Sequence, residues 1–219
     1  KEFPKGLKEF SNLLERNKIF MDRTINCGPI SAERALAYSF VGPNLRAAGV
    51  DYDVRVMNPY CSYEDFDFII PVGQNGDTYD RFMVRQEEMR QSLSIIEQAI
   101  AKLDKMEDKE TYFAPDPRFV LPPKEKVYNN MEALIWHFKI VMGETDIPVG
   151  EVYHCIEAAN GELGFYLVSD GGRTASRLHF RRPCFIYYQA YPEMVKGNML
   201  SDAILTMSSM NVIAGELDA

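Results

Sequence analysis

Asp77, Arg81, Arg85 and Glu88 stand at intervals of four, four and three in the run Gly76-Asp77-Thr78-Tyr79-Asp80-Arg81-Phe82-Met83-Val84-Arg85-Gln86-Glu87-Glu88-Met89-Arg90. At helical pitch the four side chains share one face, where carboxylates and guanidiniums in this order can form a ladder of ion pairs. Exposed to water, each pair contributes roughly 0.2–0.5 kcal/mol and needs no function. Buried, an unpaired charge costs several kcal/mol. A buried face would therefore have to be a paired network, of the kind that serves contacts between subunits or proton-linked chemistry.

Other residues with chemical potential carry less. Gly73-Gln74-Asn75-Gly76-Asp77 can present backbone amides to an anion at a helix start, although the simpler role is a loop with Asp77 as the helix cap. His154, Cys155, His179 and Cys184 are the residue types of a metal site. Neighbours on a strand point to opposite faces, however, so His154 and Cys155 cannot simply share one ion. His137 falls on the apolar side of a helix and reads as a hydrogen-bonded core histidine. There is no G-x-S-x-G elbow, no Walker loop and no G-x-G-x-x-G, which removes the usual serine-nucleophile and phosphate-cradle chemistries. The cysteines Cys27, Cys61, Cys155 and Cys184 include no C-x-x-C pair. That disfavours a zinc ribbon or cluster loop and fits free thiols in a reducing compartment.

The elements that would carry these residues follow from periodicity. Leu7, Phe10, Leu13 and Leu14 predict a helix over residues 4–20, with Pro4 in its first turn. Ser31 is the N-cap of a second helix beginning after Pro29. Residues 50–72 read as short extended pieces and turns, punctuated by Asn58-Pro59 and Pro71. Phe82, Met89, Leu93, Ile96, Ile100 and Leu103 trace one stripe of a helix over residues 77–106, about 45 Å long. Residues 104–126, with Pro115, Pro117, Pro122 and Pro123, read as a surface excursion. An amphipathic helix over residues 130–142 would bury Leu134, His137, Phe138 and Val141. A three-strand antiparallel meander is predicted over residues 151–182, with turns at Asn160-Gly161 and Asp170-Gly171-Gly172. Its apolar positions Leu163, Phe165 and Leu167, with Leu178 and Phe180, should cover something apolar. Helices over residues 185–195 and 198–209 complete a mixed, mainly helical reading.

The chain is long enough to bury a substantial core and is read as a single domain over residues 1–219. Its net charge of −8 repels nucleic acid and anionic lipid headgroups, so neither is expected as a partner. No apolar run reaches the length of a membrane span. The start Lys1-Glu2-Phe3-Pro4, without Met or a signal-peptide h-region, looks like a cut from something longer.

Several blocks together resemble a known family. Arg23-Thr24, Ser31-Ala32-Glu33-Arg34-Ala35-Leu36-Ala37-Tyr38, the Gly76–Arg90 run, Gly161-Glu162-Leu163-Gly164-Phe165-Tyr166-Leu167-Val168-Ser169-Asp170-Gly171 and Gly215-Glu216-Leu217-Asp218 are similar to the C-terminal part of the D-type, quinone-site subunit of the proton-pumping NADH:quinone oxidoreductase, respiratory complex I. In some bacteria the D-type subunit is fused behind the C-type one, and the source can be such a C/D fusion. The resemblance implies an α+β, mainly helical fold like the large subunit of nickel–iron hydrogenases, with a small antiparallel meander. The paired cysteines that would hold the metal are not in this sequence, so the family role implied is a scaffold that kept a cavity for the quinone headgroup. The cavity faces the iron–sulfur B-type subunit, with the C-type subunit and the membrane arm as further partners at the cytoplasmic face of the bacterial inner membrane. NAD, FMN and iron–sulfur clusters would belong to partner subunits, and no cofactor would be bound here. The piece alone is expected to be inactive. The family's C-terminal tail folds toward the cavity, and its positions match Asn211, Ile213 and Glu216. Asn211 replaces an aspartate and Ala219 a basic residue, which counts against the tail titrating or pairing as in relatives. Without partner surface the tail is expected to fray. The competing roles are a subunit of another hydrogenase-related membrane complex, or an interaction module with no redox part.

Overall fold

The computed structural model describes residues 2–106, 116, 119–143 and 147–218. Residues 1, 107–115, 117–118, 144–146 and 219, which include Pro115, Pro117 and Ala219, lie outside that description. The helix expected over residues 4–20 is two helices, α1 (Phe3–Leu14) and α2 (Lys18–Thr24). Asn17 divides them: its side chain accepts from the Ile19 and Phe20 amides at 3.0 and 3.2 Å, satisfying donors that a helix start leaves orphaned. Ser31 caps α3 (Ala32–Ala37), accepting from the Arg34 amide at 3.3 Å. Next comes α4 (Gly42–Ala47), buried along its whole length. Residues 50–72 contain no strand, unlike the extended reading; Asp53 caps a single turn, α5 (Val54–Met57), and a 3-10 turn follows at Tyr63–Asp65. One turn of helix is too short for periodicity to register.

The stretch read as the long helix is α6 (Thr78–Leu103). Its apolar stripe is not its most buried side. Ile96, Ile100 and Leu103 are more than half exposed, whereas Thr78, Arg81, Val84 and Gln86 are buried. Then come α7 (Lys124–Asn129) and α8 (Met131–Val141), packed on one another. None of α8 is buried: Leu134, Phe138 and Val141 are exposed and His137 is half-buried. The physical reason is the partner's size, since α7 has only 6 residues and shields part of one side.

The meander is β1 (Gly150–Ala158), β2 (Gly161–Ser169) and β3 (Arg177–Arg181), in the order β1-β2-β3. Its first turn is Ala159-Asn160, one residue earlier than expected, and Gly161 opens β2. Phe165 and Phe180 meet edge-on with centroids 5.4 Å apart, yet both rings and Leu178 remain exposed. The apolar face is shielded by its own cross-strand pair rather than by a covering layer. The last elements are α9 (Pro183–Tyr188), α10 (Tyr191–Val195), α11 (Leu200–Met210) and α12 (Ala214–Asp218). The helix expected over residues 185–195 breaks at Gln189-Ala190 because Pro192 has no N–H to continue the ladder.

The described residues form two compact units. The first runs to Ala101 and takes in Cys155–Gly164 and everything from Arg181 on; the second is Lys102–His154 and Phe165–Phe180. In the first unit Ile30, Phe40, Leu45, Tyr187, Met194 and Met210 are buried together, so α3 and α4 share a core with α9–α11. Each large apolar side chain buried there contributes about 1.5–3 kcal/mol. The β1–β2 turn is seated against α4 with no room to spare. A Cβ on Gly42, whose φ is +65°, would stand 2.3 Å from the Gly161 Cα.

Candidate functional site

The polar face of α6 is buried, and its charges do not pair as a ladder. Among the described residues none of Asp77, Arg81, Arg85 and Glu88 forms an ion pair with another of the four. Each bonds elsewhere, the first three to nearby backbone and hydroxyl groups and Glu88 to the Arg46 side chain. Asp77, 1 % exposed, accepts from the Asn26 amide and, as the helix cap, from the Asp80 amide, both at 2.8 Å. Arg81, also 1 % exposed, donates to Gly76 O at 2.7 Å, Gly28 O at 3.0 Å, Thr78 Oγ1 at 2.9 Å and Ser209 Oγ at 2.9 Å. Burial, with Arg85 alongside, pushes its guanidinium down to about 9, which leaves it cationic at neutral pH. Arg85 donates to Ser209 O, to Met210 O at 3.4 Å and to Asn44 Oδ1 at 3.3 Å. A cation at the last carbonyls of α11 answers both its unsatisfied acceptors and its negative dipole end. Glu88 pairs with Arg46 at 2.7 Å.

The face therefore holds the helix from which the tail departs. α11 ends at Asn211, in the left-handed conformation (φ +58°) that asparagine tolerates. The tail, expected to fray, is placed as a short helix, α12, and Glu216 is hydrogen-bonded within the first unit. Glu216 Oε2 accepts from the Cys184 amide at 3.0 Å, and Oε1 accepts from Asn160 Nδ2 at 3.4 Å. Asn211 Nδ2 donates to Asn160 Oδ1 at 2.6 Å, and the Tyr187 hydroxyl donates to Asn211 O at 3.3 Å. Tyr187 OH and Cys184 Sγ lie 2.8 Å apart. Burial, then their mutual contact, raises the Tyr187 phenol; burial and the nearby Glu216 carboxylate raise the Cys184 thiol. Both groups keep their protons at neutral pH and act as hydrogen-bonding posts rather than nucleophiles. Between the two anchored positions Ile213 stays 46 % exposed.

A second constellation went unseen in the sequence. Arg46, 2 % exposed, pairs with Glu88, with Glu157 at 2.9 Å and with Asp53 at 3.3 Å, and donates to Tyr52 O. Asp53 also binds Arg55 at 2.6 Å. These residues lie on four separate stretches of sequence, so no spacing rule joins them. Asn160 and Tyr187 were missed for a related reason: a turn asparagine and an aromatic helix residue look ordinary until burial is known, and Cys184 was read only as a metal-site residue type.

The Gln74 and Asn75 amides are taken by Asp80 Oδ2 at 2.8 and 2.6 Å, so the loop before α6 carries its own anion. Cys155 and Cys184 are buried free thiols, while His154 and His179 are exposed. Among the described residues no group of three or more His, Cys, Asp or Glu could hold a metal ion, and no helix is long and apolar enough to cross a membrane.

Fold and site define a mainly helical scaffold with a small three-strand sheet, whose polar interior holds its own C-terminal tail. The family model for the respiratory-chain NADH dehydrogenase 49 kDa subunit matches residues 1–219, and the protein belongs to that family. It is 71 % identical over 218 residues to the NADH-quinone oxidoreductase D-type subunit numbered 2 of Cytophaga hutchinsonii, covering 100 % of this sequence and 55 % of that protein. The D-type subunit of Flavobacterium psychrophilum is 69 % identical over 100 % of this sequence and 52 % of its own length. The C/D-type subunit of Bdellovibrio bacteriovorus is 52 % identical over 100 % of this sequence and 38 % of its own length. The chain thus spans about half the length of the D-type relatives it matches.

Proposed function

We propose that this chain is part of the quinone-site subunit of a NADH:quinone oxidoreductase, and that its tail, Asn211 to Glu216, forms part of the wall of the quinone chamber. In this reading the fold is the hydrogenase large-subunit scaffold without its metal. Electrons arrive from NADH through FMN and iron–sulfur clusters of partner subunits, the last cluster in the B-type one. The quinone takes up two electrons and two protons, coupled to proton translocation by the membrane arm. The complex, its C-type subunit included, stands at the cytoplasmic face of the inner membrane. The names of the D-type relatives support the reading.

The observation that carries it is the state of Ile213. An apolar side chain 46 % exposed is ordinary on a loose terminus. Here it is flanked by Asn211 and Glu216, each hydrogen-bonded to buried Asn160. An apolar surface held rigid on both sides suits an apolar ligand without an added ordering cost. Ile213→Trp, in the full-length subunit of the assembled complex, should cut quinone reduction at least fivefold while NADH-to-ferricyanide transfer is retained. Loss of neither activity removes the tail from the site, and equal loss of both points instead to failed assembly.

A further inference from the structure

Asn160 occupies a position where an asparagine ordinarily meets water, the tip of a two-residue hairpin turn. It is instead 2 % exposed. Its amide donates to Glu216 Oε1 and to Cys184 Sγ, each at 3.4 Å, and its carbonyl oxygen accepts from Asn211 Nδ2 at 2.6 Å. Cys184 and Tyr187 also hold the tail, but Cys184 reaches the Glu216 carboxylate with its amide and only the Asn211 backbone, at 3.7 Å, with its thiol, and Tyr187 reaches only the Asn211 backbone. Among the described residues Asn160 alone is hydrogen-bonded to the side chains of both Asn211 and Glu216.

The turn beneath it has no room to move. Besides the Gly42–Gly161 approach, the backbone carbonyl oxygen of Asn160, distinct from its side-chain Oδ1, would be 2.9 Å from a Cβ on Gly42. A Cβ on Gly161 would be 2.6 Å from Val41 Cγ2. Both anchors of the tail are thus referred to one side chain on a close-packed turn, and Ile213 lies between them.

We infer that Asn160 is a positioning residue for quinone binding, acting from the β1–β2 turn through Asn211 and Glu216 to set where Ile213 stands. The inference rests on the tail being chamber wall. It adds that the tail takes its place from the sheet's turn and not from its own helix.

The test uses the full-length subunit in the membrane-bound complex, with NADH as donor and decylubiquinone as acceptor. Asn160→Asp keeps the shape but removes the donor to Glu216 and sets two carboxylates side by side. We expect the KM for decylubiquinone to rise about tenfold, kcat to change less than twofold, and ferricyanide reduction to stay unchanged. Combining Asn160→Asp with Glu216→Gln restores a donor–acceptor pair with the roles exchanged, and should return the KM to within threefold of the parent. A normal KM in Asn160→Asp, where Ile213→Trp is impaired, overturns the inference and leaves the tail reading standing. A parallel fall in quinone and ferricyanide activity that Glu216→Gln does not reverse marks a merely structural residue and also overturns it. If Ile213→Trp itself leaves quinone kinetics untouched, the tail reading fails and the inference fails with it.

Discussion

Arg46 is enclosed by Glu88, Glu157 and Asp53, and burial tips Asp53 and Glu157 in opposite directions. At Asp53 burial opposes ionisation, but Arg55 and Arg46 outweigh it and hold the carboxyl below its ordinary range. At Glu157 burial wins over Arg46 and the carboxyl is raised. Removing the shared cation by Arg46→Met should cost about 3–5 kcal/mol in urea denaturation at pH 7, because buried carboxylates are left uncompensated. Part of that loss should return as pH falls, since protonation then relieves the stranded charge. A contrasting case is Glu193, exposed on the surface, where the hydrogen bonds from Arg34 and Tyr38 bring the carboxyl down to about 2. Its folded value is depressed, so its contribution is present above the unfolded value, about 4.3, and is lost as pH falls towards 2. Arg34→Gln should move the Glu193 midpoint upward in a carboxyl NMR titration. An unmoved midpoint would mean the Arg34 contact does not persist in solution.

Secondary structure was legible wherever side chain and backbone agree locally. Ser31 announced its helix because a hydroxyl at the cap serves a backbone amide three residues on. The α1–α2 break falls at Asn17, within Glu15-Arg16-Asn17-Lys18, where the apolar rhythm lapses for only four residues before Ile19 and Phe20. For α6 the sequence showed the right faces but not which was inside: hydrophobicity pointed to Ile96, Ile100 and Leu103, and burial fell on Arg81 and Asp77. Carbonyls from the Gly28 and Gly76 loops make that burial tolerable, and those loops lie outside the helix. Gly42 is the sharpest constraint at this scale. Gly42→Ala places a Cβ 2.3 Å from Gly161 Cα at a positive φ, and should destabilise by about 3 kcal/mol. A shift in the denaturation midpoint below about 0.5 kcal/mol would show that the turn can withdraw from α4.

At the scale of the molecule the two units differ in what protects them. In the first, α6 begins with Thr78, Arg81, Val84 and Gln86 buried and hydrogen-bonded; in the second, α8 has no buried residue. Amides of residues 82–90 should therefore exchange with deuterium far more slowly than those of residues 135–141, by about a hundredfold or more. Equal rates would show that α8 is held by surface not seen among the described residues. Composition and periodicity conveyed the helical majority, the meander and the absence of the commonest catalytic motifs. What they could not convey is that the α6 charges, the turn and the tail are linked by hydrogen bonds. That link runs through bonds between residues such as Asn44 and Met210, 166 positions apart.

That separation has a consequence for how the polypeptide is made. The core of the first unit joins Ile30–Ala48 to Cys184–Met210, and Cys27 meets Thr206 across 179 positions. On a ribosome adding about 5–20 residues per second, the roughly 140 residues between Ala48 and Cys184 take about 7–30 s to appear. Through that interval Phe40 and Leu45 have no α9–α11 to pack against, and the long loop must close late and slowly. Nascent polypeptides stalled before residue 184 should bind a holdase chaperone, and release should come only once α11 has emerged.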